Sequence, residues 1–156
     1  MKQDNKKENI SFSIPYNTED HHNIYIIVDC AHFDHKFYRE IRKNKALTAK
    51  SLFTDTPDEE SAMASPVLIA IDPDKDQSFI DEINQIEQEK PAVLWIKTQQ
   101  NMHQLFAFLQ SILYGELSNN EKVIFRYYDP RCTKGILSVL KSDQEVASQL
   151  FKISSM

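Results

Sequence analysis

At 156 residues, with 23 acidic against 18 basic side chains and a net charge of −5, the chain is sized for one ordinary domain. It lacks the cationic excess that duplex nucleic acid demands, so no nucleic-acid partner is expected. Only two glycines are present, Gly115 and Gly135, too few for the Gly-rich turns that cradle nucleotide phosphates. Two cysteines, Cys30 and Cys132, are too few for a secreted disulfide scaffold. The apolar runs Ile24–Val28 and Val67–Ile71 are too short for a signal peptide or a membrane span. The expected setting is a reducing cytoplasm, with both thiols free and no membrane insertion.

Residues 1–20 form a polar N-terminal segment, read as partly mobile, in which Ile10-x-Phe12-x-Ile14 has the alternation of a short edge strand. Residues 21–156 form the α/β domain. Tyr25–Asp29 is a continuous apolar run, the pattern of a strand buried on both faces. Phe33, Phe37, Tyr38 and Ile41 come next at helical spacing within 33–44, and Ser51–Phe53 reads as a small strand. Thr56-Pro57-Asp58-Glu59 has the pattern of a capped helix start, with Thr56 as N-cap. Pro66–Ile71 is a second buried strand, closed by the turn Asp72-Pro73-Asp74. A helix carrying Phe79, Ile80, Ile83 and Ile86 on one face comes next, then a third strand, Ala92–Lys97. Asn101–Tyr114 reads as a helix with Gly115 as its C-cap. Lys122–Asp129 reads as a fourth strand, with a helix after it from Pro130 to about Lys141. A last helical turn is expected near Asp143–Leu150, leading to Phe151–Ile153. Strands alternating with helices predict a single α/β domain around a mostly parallel or mixed central sheet.

Three of these strands end in an acid: Asp29, Asp72 and Asp129. Converging at the carboxyl ends of a parallel sheet, they would suit a divalent cation. The plainer reading is that each acid terminates its strand and caps the next helix, as Asp129-Pro130 does at N-cap and first helical position. Cys30-x-His32-x-x-His35 offers three metal-ligand side chains, but not in an established zinc spacing. A Cys–His nucleophile built from Cys132 is conceivable without any local motif behind it. Together these features define one candidate, a small metal- or thiol-dependent enzyme using acids at the strand ends.

Arg126 stands among Val123, Ile124, Phe125, Tyr127 and Tyr128 and requires a carboxylate partner, because an isolated buried charge is very costly. Asp29 is the preferred partner, giving an internal ion pair; direct contact of Arg126 with a ligand or partner protein is the alternative. Arg131, at a helix start, opposes the helix dipole and also needs a carboxylate.

Four segments, in order, resemble the bacterial domain that defines the type VI secretion effector adaptors, the Tap or Tec chaperones. They are Tyr25-Ile26-Ile27-Val28-Asp29-Cys30-Ala31; Ser51–Asp58 with Pro66-Val67-Leu68-Ile69; Leu105, Leu109, Ile112 and Leu113; and Phe125-Arg126-Tyr127-Tyr128-Asp129-Pro130-Arg131. The similarity runs from about residue 24 to 153. It implies a cytosolic adaptor, without enzymatic activity or cofactor, that binds a cognate toxin effector and promotes its loading onto a VgrG or PAAR spike protein. Asp29, Arg126, Tyr128, Asp129, Pro130 and Arg131 are the structural and binding signature that the resemblance marks, with no catalytic, cofactor-binding or metal residue implied. Cys30 stands where the family has glycine, which would strain the turn if that position needs positive φ. Many relatives carry a further C-terminal lobe; the expectation here is self-association or a helper chain in its place. The work of such a protein falls to exposed apolar and aromatic side chains, with Phe12, Ile14, Phe106 and Tyr114 as candidates, each also readable as plain core.

Overall fold

A computed structural model of the chain describes residues 11–12 and 22–133. Strand β1 is the two-residue Ser11–Phe12, and β2 spans Asn23–Asp29. In β2 the side chains of Tyr25, Ile26, Ile27 and Val28 are all buried, three of them with no exposed surface. A run apolar on both faces needs a neighbour on each edge and a layer on each face. Helix α1 (His35–Lys43) and strand β3 (Thr48–Ser51) come next, then β4 (Pro66–Ile71), α2 (Gln77–Glu89) and β5 (Val93–Thr98).

The sheet order is β1-β5-β2-β4-β3. Strands β4 and β5 both pair antiparallel with β2, and β3 pairs antiparallel with β4. Among the described residues only β1 is parallel to its neighbour, Ser11 facing Trp95 and Phe12 facing Ile96. The α/β class therefore holds, and the sheet is mixed with antiparallel pairs in the majority. The physical reason is interleaving. Helix α1 joins β2 to β3, and α2 joins β4 to β5, and each helix does connect parallel strands. A third strand lies between the members of each pair, however, giving the split β-α-β-β-α-β arrangement.

Alternation along the strands sends two sets of side chains to two layers. Ile26, Val28, Val67, Ile69 and Val93 face α1 and α2, meeting Ile41 and Ile83. Tyr25, Ile27, Leu68, Leu94 and Ile96 face the other way, under α3 (Met102–Ser111), whose Leu105, Phe106 and Leu109 complete that layer. Helix α1 starts at Asp34, whose carboxylate accepts from the Phe37 N–H at 3.2 Å. Helix α3 starts at Asn101 with a reciprocal capping box to Gln104. Strands β6 (Tyr114–Glu116) and β7 (Lys122–Ile124) form a separate hairpin. Its turn places Asn120 in the left-handed region at φ 65°, a conformation asparagine tolerates.

Several local expectations are corrected. Thr56 caps no helix: its hydroxyl donates to the Phe53 carbonyl at 2.7 Å, and a 3₁₀ segment begins later, at Glu59–Ala64. Gly115 is not a C-cap but a strand residue of β6, since α3 ends at Ser111 and Ile112 is its C-cap. The run Lys122–Asp129 is strand only to Ile124. The small strand near Ser51 lies at Thr48–Ser51 rather than 51–53. The expectations for Ile10 and Ile14, for most of residues 1–20, and for the helices and apolar residues beyond Thr133 lie outside the described residues.

Candidate functional site

Asp29 is the last residue of β2, and its backbone N–H is held by the Ala92 carbonyl at 2.8 Å. Its carboxylate turns back over the 3₁₀ segment Cys30–His32, and Oδ1 accepts from the Ala31 N–H at 3.1 Å. Oδ2 accepts from Arg126 Nη2 at 2.5 Å, and His32 Nε2 lies 3.5 Å from the same oxygen. The Asp29 side chain is 1% exposed and that of Arg126 46%. The pair is thus asymmetric, with the anion inside and the cation at the surface.

The backbone makes this possible by leaving the strand. After β7 the Tyr127 N–H bonds the Phe125 carbonyl at 2.9 Å, and the Asp129 N–H bonds the Arg126 carbonyl at 3.1 Å. These tight turns drive the next two side chains into the α3 layer, where Tyr127 and Tyr128 meet edge to face at 5.5 Å. The Tyr127 hydroxyl donates to the Leu109 carbonyl at 2.9 Å. The buried Thr133 hydroxyl is shared between the Tyr127 and Asp129 carbonyls at 2.9 Å each. The Arg126 guanidinium lies over the Tyr128 ring, 5.8 Å from its centre. Burial, with the Asp29 charge beside it, pushes the Tyr128 phenol up to about 12. Burial also raises the Tyr127 phenol.

Asp129 and Pro130 stand at the N-cap and first helical position of the next helix, as their spacing predicts. The Asp129 carboxylate accepts from the Arg131 N–H at 2.9 Å, from Nε at 3.1 Å and from Nη2 at 2.8 Å. These bonds hold its carboxyl below its ordinary value and raise the Arg131 guanidinium above its own. Here too the carboxylate is inside and the guanidinium outside, at 5% and 62% side-chain exposure. Burial opposes the charge of Arg126, yet the bond to Asp29 raises its guanidinium above the ordinary value.

The three acids do not converge: Asp29 and Asp129 both lie near enough to act on Arg126, but Asp129 ends no strand and Asp72 is elsewhere. Asp29 lies beside Pro66, the first residue of β4, whereas β4 ends at Ile71 beside Ile24, with Asp72 just beyond. Antiparallel pairing puts Asp29 and Asp72 at opposite ends of the sheet. Asp72 is occupied locally, accepting from the Asp74 N–H at 3.0 Å. Among the described residues no group of three or more His, Cys, Asp or Glu is placed to hold a metal ion. Cys30 is fully buried, and burial reinforced by the Asp29 charge pushes its thiol up to about 12, the opposite of an activated nucleophile. Among described residues only Asp55 and Asn120 have positive φ. Cys30 therefore enters its turn without left-handed strain, and its side chain fills space in the α1–α2 layer.

Phe106 is core, and Tyr114 is half-buried with its hydroxyl donating to Asp58 at 2.6 Å. Two features escaped sequence reasoning. One is His32 beside Asp29, whose backbone carbonyl accepts from Lys90 Nζ at 2.8 Å. The other is the hairpin, for which the Asn119-Asn120 dipeptide was the available signal.

These elements define a class: a mixed α/β domain in which two motifs from opposite ends of the chain are tied by a half-exposed Asp–Arg pair. Within that class the chain belongs to the family described as Domain of unknown function (DUF4123), whose model matches residues 24–147 and so includes both motifs. No curated protein and no solved structure matches the chain. No helix among the described residues is long and apolar enough to cross a membrane.

Proposed function

We propose that the chain is a cytosolic adaptor that binds a type VI secretion toxin effector and promotes its loading onto a VgrG or PAAR spike protein, without turnover of its own. Family membership supports this, because the domain is known in effector adaptors of that system. The observation that carries the reading is the junction of Tyr25–Ala31 with Phe125–Arg131. The two segments that most resemble the adaptor pattern lie 97 residues apart at Asp29 and Arg126 and form one hydrogen-bonded cluster. The carboxylates and tyrosines of the cluster are buried, and it holds the Arg126 and Arg131 guanidiniums at the surface on that packed support, as a protein-binding site requires.

The test is affinity capture with the tagged full chain in its native bacterium, read by mass spectrometry. Recovery of a toxin-like protein together with a VgrG or PAAR protein is the expected result. Recovery of neither, from a well-folded bait, refutes the reading.

A further inference from the structure

The β6–β7 hairpin has an inner and an outer face. Its register pairs Tyr114 with Ile124, Gly115 with Val123 and Glu116 with Lys122. Tyr114 and Ile124 pack against the α3 layer. By alternation Gly115 and Val123 share the outer face. The bonds from the Leu117 N–H to the Glu121 carbonyl at 2.9 Å and from the Phe125 N–H to the Leu113 carbonyl at 2.7 Å carry the ladder one step further at each end, adding Leu117 and Phe125. Leu117, Val123 and Phe125 are the large hydrophobic residues left exposed among the described residues, at 37–48%. That all three fall on one small face marks it as a surface built for contact rather than scattered exposure.

Gly115 points the same way. Glycine weakens a strand interior and is kept where a turn, a bulge or a close backbone approach requires it. Its φ is not positive, and an added Cβ would meet only Val123 Cγ2, at 3.7 Å, an ordinary contact. Neither backbone conformation nor packing among the described residues explains it. A bare strand position between Val123 and Leu117 does let a second backbone settle close to the sheet.

Charge gives the occupant its chemistry. Arg126 directly follows Phe125, and in the two ion pairs of this segment the carboxylates of Asp29 and Asp129 are buried while the guanidiniums of Arg126 and Arg131 face solvent. This end of the face therefore presents guanidinium donors to solvent, each neutralised from beneath by a buried carboxylate, whereas Glu121, at the turn end, is an exposed acid. We propose that the outer hairpin face is the docking surface for an apolar segment of another polypeptide, flanked by acidic side chains on the end that meets Arg126. This rests on the adaptor reading and locates the effector contact within it.

The experiment places a photoreactive phenylalanine analogue at position 123 of the full chain in the native bacterium and sequences the cross-linked peptide. The expected adduct is an apolar, acid-flanked segment of a different protein. Phe125→Asp should then lower co-purification of that protein by about tenfold or more, as for a central anchor, while the chain still melts cooperatively. Val123→Lys serves as a second such variant if Phe125→Asp fails to fold. Gly115→Ala should melt at or above the wild type. An adduct to residues 134–156 of the same chain, an adduct to a second copy, or no adduct overturns the proposal. So does a Phe125→Asp chain that retains its partner, or a Gly115→Ala chain that melts clearly lower. If the wild type captures the toxin and spike while the hairpin variants do so equally, only this surface assignment fails. If the wild type captures neither, the adaptor reading fails first.

Discussion

Arg126→Ala separates a structural role for this residue from a decorative one. Removing one partner of a fully buried ion pair costs about 3–5 kcal/mol, because the other charge is left stranded. A fully exposed pair is worth about 0–1 kcal/mol. Here Asp29 is 1% exposed but Arg126 is 46% exposed, so solvent already screens half the interaction. Asp29 also keeps the Ala31 N–H, and His32 remains nearby. The expected loss is about 2–3 kcal/mol, between the two limits. For a domain of this size that lowers the melting temperature by about 5–10 °C. Calorimetry or urea unfolding of wild type, Arg126→Ala, Asp29→Asn and the double variant gives the coupling. Asn at position 29 retains the bond to Ala31, so a coupling of at least about 1 kcal/mol isolates the guanidinium contact. A single variant within about 0.5 kcal/mol of wild type, with no coupling, would refute the inward-facing carboxylate as a stability element.

Thr133→Val removes a buried hydroxyl shared by two carbonyls and should cost about 1–2 kcal/mol in urea unfolding. A thiol reagent at neutral pH should modify one cysteine per native chain, the exposed Cys132, and both after denaturation, because Cys30 is buried. Folded Cys30 binds its proton up to about pH 12, whereas its ordinary value is 9.0. The unfolded chain thus holds fewer protons across that window, so stability falls as pH rises from 9 to 12, by about 1.4 kcal/mol per unit from this group. Cys30→Ala should flatten the first part of that decline in a pH series of melting temperatures. Asp129 works in the other direction. Its carboxyl is held below the ordinary 3.8, so its contribution is complete above that value and is lost as pH falls through the folded value. Arg131→Ala should weaken this acid dependence.

Legibility in the sequence depended on how each residue's burial is achieved. Pro66–Ile71 was readable to the residue, because a strand buried on both faces is apolar throughout. Helix α2 was readable through Phe79, Ile80 and Ile83 on one side. Strand direction was not, since a helix between two strands says that they run parallel but not that a third strand separates them. The run Val123–Tyr128 misled for a related reason. Its apolar residues are buried partly by pairing with β6 and partly by two tight turns that drop Tyr127 and Tyr128 under α3, and hydropathy alone does not distinguish these. The Asp29–Arg126 pair was legible from the cost of an unpaired guanidinium. Asp29 was preferred simply as an acid at the end of another strand. His32 was harder to place, as its position depends on a 3₁₀ segment that no spacing announces.

The bond between Asp29 and Arg126 also sets an order of events during synthesis. All strands from β2 to β5 are complete once Thr98 has been made, but one face of that sheet, partly covered by Leu52 and Phe53, lacks its main layer until α3 and the tyrosine pair arrive. Translation at about 5–20 residues per second separates the two moments by about 2–6 s. Throughout that interval the cover that the described residues give Tyr25, Ile27, Leu68, Leu94 and Ile96 comes from Leu52 and Phe53, without α3 or the tyrosine pair. The nascent protein thus passes through a sticky half-sandwich. Docking of α3 and then of Tyr127 and Tyr128 ends it, and the Asp29–Arg126 bond closes the 97-residue span. Ribosomes stalled between residues 100 and 128 should accordingly display a chain that recruits trigger-type holdases, and release of the full domain should shed them.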